Sequence, residues 1–317
     1  MLKQLFLTLA ILLSVTGFIS CSKDEPNNGG KNPIENPTDD PKDDPTDDPK
    51  DDPADDGTVI VNADGSTSNG MQFRRINETN FMLNYVEYHI NAGHLEVVGR
   101  DDVEIKASLN GKVIIVPAVK IEGTEYLVRK VGGFYSSEIE EIQLPNTVTE
   151  ITSCGFAGAE LLHTIIMPKS LRCINWNAFG GCSSLESVEL NEGLEEIQSD
   201  AFSNCSRIKT MNIPDNVCIY GGCFKNVKLS EIIFPETFKI GGAYIFAEDS
   251  TPIRIFLKST DAKEPEGYKE GLFDEDSGVT NFTTLYVPKG SLNLYKKSPY
   301  WRKFKYIKEY NPESISQ

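Results

Sequence analysis

The sequence predicts a β-rich solenoid that is capped at both ends, and three observations lead to this fold class. Five stretches between residues 139 and 246 repeat apolar positions, a proline or its substitute, and an aromatic residue near a Cys or small residue. The period is constant over the first four stretches and shortens slightly before the fifth. At roughly 23 residues, it is typical of solenoids in which every coil adds one short strand to a stacked sheet. The repeats begin at Ile142, Ile165, Val188, Met211 and Ile232.

Residues 1–20 have the charge and hydropathy pattern of a secretory signal peptide. Lys3 precedes an apolar run from Leu5 to Ile19, which is too short to span a bilayer. A small residue, Ser20, precedes Cys21, and the segment 17–21 resembles the cleavage and lipidation box of bacterial lipoproteins. The following Ser-Lys-Asp-Glu resembles the export tag of surface-exposed lipoproteins of some Gram-negative anaerobes. We therefore expect lipidation of Cys21, export, anchoring to the outer membrane and exposure at the cell surface; a plain signal peptide is the alternative.

Residues 21–57 comprise the lipidated Cys and a segment that is predicted to be a disordered acidic stalk. Five consecutive Pro-x-Asp-Asp units begin at Pro37, Pro41, Pro45, Pro49 and Pro53. Prolines at every fourth position exclude a helix, and the repeated carboxylates repel one another. At about 3.1 Å per residue, the stalk has a reach on the order of 100 Å. A calcium-binding acidic repeat is the alternative, but the segment lacks the glycine-containing ligand loop of a dedicated site.

The net charge of the chain is −16, and much of it belongs to the stalk. Residues 22–57 hold 13 acidic side chains and 4 lysines, so that residues 58–317 carry −8 once Lys3 is also set aside. A mildly acidic domain argues against nucleic-acid binding and gives no reason to expect affinity for anionic lipid.

Each position within a repeat has a predicted role, which the third unit illustrates. Val188 is expected to point into the core, while Ser187 and Glu189 lie on the exposed face of a short strand. A second extended segment follows at 194–197, and residues 200–205 are expected to form a 3₁₀ or one-turn helical corner. In most units a proline ends the first strand. These prolines are Pro145, Pro168, Pro214 and Pro235, and an expected stacked spine of aromatic rings consists of Phe134, Phe156, Phe179, Phe202 and Phe224.

The corners Ala178-Phe-Gly-Gly-Cys182 and Ala201-Phe-Ser-Asn-Cys205 carry a resemblance to BspA-like leucine-rich repeat proteins. The likeness covers about residues 110 to 310 and implies a leucine-rich-repeat solenoid. It also implies an extracellular or surface-attached binding protein, in some relatives an adhesin, without catalytic activity. The first unit departs from the pattern at Gly155-Phe156, and the fourth departs at Cys223-Phe224 with a two-residue deletion. We expect the stack to be distorted at those two levels.

Caps are predicted on both sides of the solenoid, because an uncapped end would expose core residues and strand edges. The expected division is a β-hairpin cap at 58–112, the solenoid at 113–246, and an irregular last coil with a C-terminal cap at 247–317. The hairpin is placed between Phe81 and Val98, with its turn at residues 91–93. The aromatic cluster near Trp301 is interpreted as cap packing, with a carbohydrate platform as the alternative.

The residues that could support catalysis are few, so no enzymatic activity, cofactor or metal is expected. His89, His94 and His163 have no metal-binding spacing, and there is no phosphate-binding loop or nucleophile elbow. Cys182 and Cys205 occupy equivalent corners of adjacent coils with parallel side-chain directions, which favours a ladder of free thiols over a disulfide. The other four cysteines after Cys21 remain undecided: Cys154, Cys173, Cys218 and Cys223.

The outward strand positions form two columns and are the predicted ligand face, which we expect to be concave. Large aromatics and arginines, which dominate many interfaces, are absent from these ten positions. We hypothesise a cell-surface module that binds a host or cell-surface protein or glycoprotein, with a glycan-binding accessory of a surface polysaccharide-uptake system as the alternative. No nucleic-acid partner is expected, and the oligomeric state stays open. Column one is Glu141, Thr164, Ser187, Thr210 and Glu231; column two is Gln143, Ile166, Glu189, Asn212 and Ile233.

Overall fold

The computed structural model of the chain describes residues 57–76, 78, 80–83, 86–91, 94–97, 111–246, 252, 254–267 and 279–315. The predicted signal peptide, the lipidation site at Cys21 and almost all of the stalk lie outside the described residues. Several segments of the two predicted caps lie outside them as well, including the predicted hairpin turn at residues 92 and 93.

The described residues form short strands with very few helices, as the repeat pattern predicts. In chain order, the strands of the first part are β1 (Val59–Val61), β2 (Phe73–Arg75), β3 (Asn80–Leu83), β4 (Val86–Asn91), β5 (His94–Val97), β6 (Gly111–Ile114), β7 (Ala118–Ile121) and β8 (Thr124–Val131). The repeats supply β9 (Ile139–Gln143), β10 (Glu150–Ile151), β11 (Thr164–Ile166), β12 (Cys173–Ile174), β13 (Ser187–Glu189), β14 (Glu196–Ile197), β15 (Thr210–Asn212), β16 (Cys218–Ile219), β17 (Glu231–Phe234) and β18 (Lys239–Ile240).

The last part of the chain closes the stack with strands and short helices. It contains β19 (Arg254–Leu257), β20 (Glu266–Gly267), α1 (Val279–Phe282), β21 (Thr284–Pro288), α2 (Leu292–Lys297), a 3₁₀ helix (Trp301–Lys303), β22 (Tyr306–Tyr310) and a second 3₁₀ helix (Pro312–Ser314).

Three sheets organise these strands into a solenoid. The long sheet has 13 strands, and along the repeats it consists of the parallel two-residue strands β10, β12, β14, β16 and β18. The first face sheet has the order β13-β11-β9-β6, and the second face sheet has the order β15-β17-β19-β21-β22. Each repeat therefore gives one strand to a face sheet and a second strand to the long sheet. The predicted leucine-rich-repeat solenoid is confirmed.

The repeat period sets the register between coils. Ile142 pairs with Ile165, and Ile165 pairs with Val188, each partner lying one full repeat further along the chain. The long sheet has the same spacing, since Ile151 pairs with Ile174. The inward side chains of these strands are buried, whereas their neighbours in sequence point outward. Alternation along the strand and repetition between coils therefore build a continuous core.

The phenylalanine spine is confirmed and is one ring longer than expected. The rings of Phe134, Phe156, Phe179 and Phe202 are stacked with centroids 5.2–5.3 Å apart and planes within 4° of parallel. Phe224 and Phe246 continue the stack, and all six side chains are buried. Packing within the core therefore accounts for this feature of the repeat.

The expected distortion occurs at the fourth unit and not at the first. Between Phe202 and Phe224 the ring centroids move apart to 6.3 Å, and the next pair is inclined by 29°. Phe156 instead stacks regularly on both neighbours. Because the first unit keeps the full repeat length, the change at Gly155 leaves the register intact. The two-residue deletion in the fourth unit shortens the path around the coil.

The corners are consecutive turns with 3₁₀-type hydrogen bonds, in keeping with the expected 3₁₀ or one-turn corner. Ser203 N donates to Asp200 O at 2.9 Å, which is the i→i+3 bond of a 3₁₀ turn. Asp200 and Asn204 have φ values of +58° and +61°, however, and this left-handed conformation prevents a right-handed helix from continuing. The corner backbones also bond between coils, as in the 2.8 Å contact from Phe179 N to Ala201 O.

The predicted hairpin lies at the N-terminal end of the long sheet. β4 and β5 pair antiparallel, and β5 then pairs in parallel with β8, so the hairpin extends the sheet. A second hairpin joins β7 to β8 at Glu122 and Gly123, whose positive φ values of 52° and 82° suit a tight two-residue turn.

The aromatic cluster at the C-terminal end is packed into the cap. Trp301 and Tyr295 are buried. Trp301 Nε1 donates to Lys263 O at 3.0 Å, and the Tyr295 hydroxyl donates to Ser259 O at 2.7 Å. Two buried rings with satisfied polar atoms favour the packing interpretation over the carbohydrate platform.

Candidate binding face

The outward residues of the repeats align in the two predicted columns. Thr164 pairs with both Glu141 and Ser187, and Ile166 pairs with Gln143 and Glu189. In the later repeats, Thr210 pairs with Glu231 and Asn212 pairs with Ile233. All ten side chains are exposed or half-buried, so they are accessible to a partner. The role of these residues in binding stays a prediction, as does the concave shape of the face.

The columns are interrupted between the third and fourth repeats. Among the described residues, β13 pairs with β11 and β15 pairs with β17, but β13 and β15 do not pair with each other. Ser187 and Glu189 therefore end the first face sheet, and Thr210 and Asn212 begin the second. The predicted face thus consists of two sheets instead of one continuous sheet.

An open depression lies in the first face sheet near this interruption. Its volume is about 640 Å³, and it is lined by outward residues of β11 and β13 and by the loop at residues 190–193. Ile166 borders it and is 68% exposed, the second highest value among the large apolar residues described. Asn191 occupies the position of the strand-ending prolines, and its side-chain amide donates to Lys169 O and Leu171 O. This depression combines an aliphatic surface with polar edges.

The second face sheet extends both columns beyond the repeats that the sequence revealed. Arg254, Thr284 and Tyr306 align with Glu231 in column one. Phe256, Tyr286 and Lys308 align with Ile233 in column two. The short apolar run Ile255-Phe-Leu257 after Arg254 is the signal that could have shown this continuation. It was missed because residues 247–283 do not follow the repeat period.

An aromatic cluster therefore lies on the second face sheet. The rings of Phe256 and Tyr286 stack at 4.6 Å, and Tyr310 meets Phe256 edge-on at 5.2 Å. The Tyr310 hydroxyl donates to Leu257 O at 3.1 Å, which fixes the ring. Phe256 is only 8% exposed, whereas Tyr286 is half-buried and accessible. The extended columns contain aromatic residues and an arginine. Only the ten positions predicted from the sequence lack such residues.

Ion pairs connect neighbouring strands near both ends of column one. Lys112 Nζ lies 2.8 Å from Glu141 Oε1 in the first face sheet. Arg254 Nη2 lies 3.2 Å from Glu231 Oε2 in the second. Both pairs are partly exposed, so they contribute little to stability, but they neutralise the two glutamates of column one.

The cysteines after Cys21 are all free, which favours the thiol ladder. Cys182 Sγ donates to Phe156 O and Cys205 Sγ donates to Phe179 O, each at 3.1 Å. Burial raises the pKa of the Cys182 thiol to about 12 and raises that of Cys205 well above its ordinary value. Thiols of this kind stay protonated at neutral pH and act as small core residues.

The described part of the chain contains no group of three or more His, Cys, Asp or Glu side chains that could hold a metal ion. None of the helices in these residues has the length and apolar character needed to cross a bilayer.

Comparison with known proteins agrees with the repeat architecture. Residues 131–252 match the BspA type leucine rich repeat region in six copies. No curated protein matches the chain. The solved structures to which it is similar include the pneumococcal vaccine antigen PcpA, at 20% identity over 67% of this chain and 65% of that one, with a TM-score of 0.49.

Two further crystal structures are similar to this chain. One is a leucine rich cell surface protein from Faecalibacterium prausnitzii, with 20% identity, 67% coverage of this chain and a TM-score of 0.44. The chain spans about half of that protein's length, at 55%. The other is the T. pallidum leucine rich repeat protein TpLRR, with 19% identity over 55% of this chain and 83% of that one, and a TM-score of 0.41.

Proposed function

We propose that this chain, whose residues 131–252 are BspA type leucine rich repeats, is a cell-surface module that binds a protein or glycoprotein partner through its two face sheets. In this proposal residues 1–20 direct export, and lipidated Cys21 anchors the chain to the outer membrane. Residues 22–57 form a stalk. The remaining divisions are a cap at 58–112, the solenoid at 113–246, and a last coil with its cap at 247–317.

The observation that carries the proposal is the alignment of outward side chains across both face sheets. Protein interfaces concentrate their binding energy in a few aromatic and arginine residues surrounded by residues that contribute little. Arg254 and Tyr286 supply such side chains, and they lie in register with the polar positions of the repeats. The rest of the face then provides shape and polarity around them.

A non-catalytic role agrees with the state of the thiols. Burial raises the pKa of Cys182 to about 12, and burial together with the nearby Glu196 raises the pKa of Cys173 to about 12. A nucleophilic cysteine requires a lowered pKa instead. These side chains therefore have no features of an activated nucleophile.

A glycan-binding accessory function is the second candidate, and the stacked pair Phe256 and Tyr286 favours it. A partly exposed aromatic ring held by a neighbouring ring offers a rigid apolar surface, on which a sugar ring can pack. The two candidate functions differ in which residues should contribute most of the binding energy. Glycan binding requires the Tyr286 ring, whereas a protein partner needs a wider part of both columns.

Arrays of glycans and of matrix proteins, probed with the full-length chain, test the two candidates. We expect binding to a protein or glycoprotein that Glu189→Lys weakens, because the reversed charge lies in the centre of the face. Lys228→Glu reverses an exposed charge away from both columns and serves as the matched control. If binding survives disruption of both columns, this face is not the binding surface.

The anchor is tested by cell fractionation. We expect Cys21→Ala to move the protein from the membrane fraction to the soluble fraction, because the variant lacks the acylated thiol. Ser22→Ala, which keeps the thiol, is the control. An unchanged distribution of Cys21→Ala would refute lipid anchoring.

A further inference from the structure

The C-terminal cap concentrates positive charge in a protein that is otherwise acidic. Residues 289–315 contain seven Lys and Arg and two Glu, although the net charge of the whole chain is −16. The net charge of residues 58–317 does not show that the positive charges are concentrated in this cap. A basic region on an acidic protein attracts anionic ligands locally even when the molecule as a whole is negative.

The cations converge on one groove, which we call the basic groove. Its volume is about 230 Å³. Lys296 lies in α2, Arg302 lies in the 3₁₀ helix Trp301–Lys303, and Lys305 immediately precedes β22. All three side chains are exposed, and the buried Phe304 lies between them in sequence and lines the same groove. Because three separate elements supply these cations, the groove is a product of the folded cap. The lining residues are Lys296, Arg302, Phe304, Lys305, Tyr306, Ile307 and Lys308.

The positive charge of the basic groove is not neutralised by the described residues. No carboxylate among them lies within ion-pairing distance of Lys296, Arg302 or Lys305. Glu309, the nearest acidic residue in sequence, accepts hydrogen bonds from Gly290 N at 2.8 Å and Leu292 N at 3.3 Å. Its carboxylate is therefore occupied by the turn before α2. Within the described part of the chain, no ion pair has to be broken for a ligand to reach these cations.

An aromatic ring completes the groove. Tyr306 is 44% exposed, and Lys305 Nζ lies 5.2 Å from the centre of its ring. The ammonium group thus lies over one face of the Tyr306 ring. This combination suits a ligand that has both a ring to stack and anionic groups around it.

We propose that the basic groove binds a polyanionic glycan. Its sulfate or carboxylate groups contact Lys296, Arg302 and Lys305 through charge-assisted hydrogen bonds, and one sugar ring packs on Tyr306. A linear polymer can enter a concave groove, whereas the flat surface of a bilayer cannot. The three cations lie outside both columns, whereas Tyr306 and Lys308 belong to the last strand of the second face sheet, so the groove adjoins the proposed binding face.

The test measures binding of the full-length protein to immobilised heparin, a sulfated glycan. Neutralising the groove with Lys296→Gln, Arg302→Gln and Lys305→Gln together is expected to weaken affinity at least about tenfold. The matched control neutralises three exposed lysines elsewhere, Lys120→Gln, Lys209→Gln and Lys228→Gln, and is expected to change affinity less than about twofold. Equal thermal unfolding of both triple variants establishes that they are folded.

A second variant tests the sugar contact separately from the charge. Tyr306→Ala is expected to weaken heparin binding severalfold and to leave binding to poly-L-glutamate unchanged, because the peptide has no sugar ring. Raising salt from about 50 to about 200 mM should weaken the wild-type protein much more than the triple groove variant.

Several results would overturn the proposal. They are absence of heparin binding by the wild-type protein, an equal loss in the control variant, and equally tight binding of poly-L-glutamate. Tight binding to anionic phospholipid vesicles that Phe282→Ser abolishes would assign this end of the molecule to a membrane instead, because Phe282 is the most exposed large apolar residue described, at 78%.

Discussion

The two face sheets are built from the same kind of coil but differ in regularity and in chemistry. In the first, the coils between β9 and β13 keep the full repeat length, the phenylalanine rings behind them are nearly parallel, and the outward residues are aliphatic or polar. In the second, the phenylalanine rings of the spine are further apart and their planes are inclined to one another. The outward residues of this sheet include Arg254, Phe256 and Tyr286. Strict repetition favours uniform stacking. Departure from the repeat gives the second sheet its larger and more varied side chains.

The largest expected effect is the loss of a ring from the spine, which also compares the two regions. Phe179→Ala removes a ring held between neighbours at 5.2 and 5.3 Å and is expected to cost about 4–5 kcal/mol of unfolding free energy. Phe224→Ala removes a ring between neighbours at 6.3 and 5.6 Å, and we expect about 1 kcal/mol less. Denaturant unfolding of both variants measures the difference. An equal or greater cost at Phe224 would show that ring spacing does not govern stability here.

The next largest expected effect is on the affinity for a partner, which should depend more on the second face sheet than on the first. With the partner found on the arrays, Tyr286→Ala should reduce the binding free energy by at least about 2 kcal/mol, as aromatic anchors commonly do. Ile166→Ala, at a more exposed position of the first sheet, should cost less than about 1 kcal/mol. Titration calorimetry measures both, and unchanged unfolding curves control for folding. The reverse order of effects would move the centre of the site to the depression near Ile166.

The junction between the sheets provides a smaller effect on stability. Asn191→Ala removes two hydrogen bonds to the preceding coil, and the loss is partly offset because the buried Asn191 Oδ1 has no hydrogen-bond partner. We expect a net cost of about 1 kcal/mol in unfolding free energy. Asn212→Ala, on the exposed surface across the junction, should stay within about 0.5 kcal/mol of wild type. Equal costs would mean that Asn191 does not hold the end of the first sheet.

The smallest expected effects are those of the two ion pairs. Double-mutant cycles for Lys112 with Glu141 and for Arg254 with Glu231 should each give a coupling energy of about 0.2–1 kcal/mol. The second value should be larger, because the side chain of Glu231 is 22% exposed and that of Glu141 is 38% exposed. Adding about 1 M salt should reduce both couplings. A coupling well above this range would identify a structural role for that pair.

Much of the core could be predicted from the sequence because the signal is periodic. Ile142, Ile165 and Val188 are buried and aligned, and the spine from Phe134 to Phe224 is stacked. A constant period forces equivalent residues of parallel coils into register, so each inward position could be assigned from its spacing alone. The 3₁₀ character of the corner could also be predicted, but the point at which the helical conformation ends was not. That point is set by the left-handed conformations of Asp200 and Asn204, and the equivalent positions of the preceding repeat, Asn177 and Gly181, also have positive φ values. Asn, Asp and Gly favour this conformation, so the signal is present in the sequence but was not used.

The candidate face could be predicted only in part. The ten column positions follow from the period, but Arg254, Phe256 and Tyr286 lie beyond it and enter the columns through strand pairing. The interruption between β13 and β15 depends on backbone hydrogen bonds, which the side-chain pattern does not encode. These features make the two face sheets different surfaces, although the repeat predicts one.

The sequence by itself determined the solenoid, its buried rows and its spine, because a constant period allows few other ways to stack coils and bury the same apolar positions. The tertiary structure decided where the face divides, which aromatic residues join it, and how Lys296, Arg302 and Lys305 meet in one groove. The physical reason is that these contacts join residues without a common period. Their proximity depends on how the last coil and its cap pack against the stack.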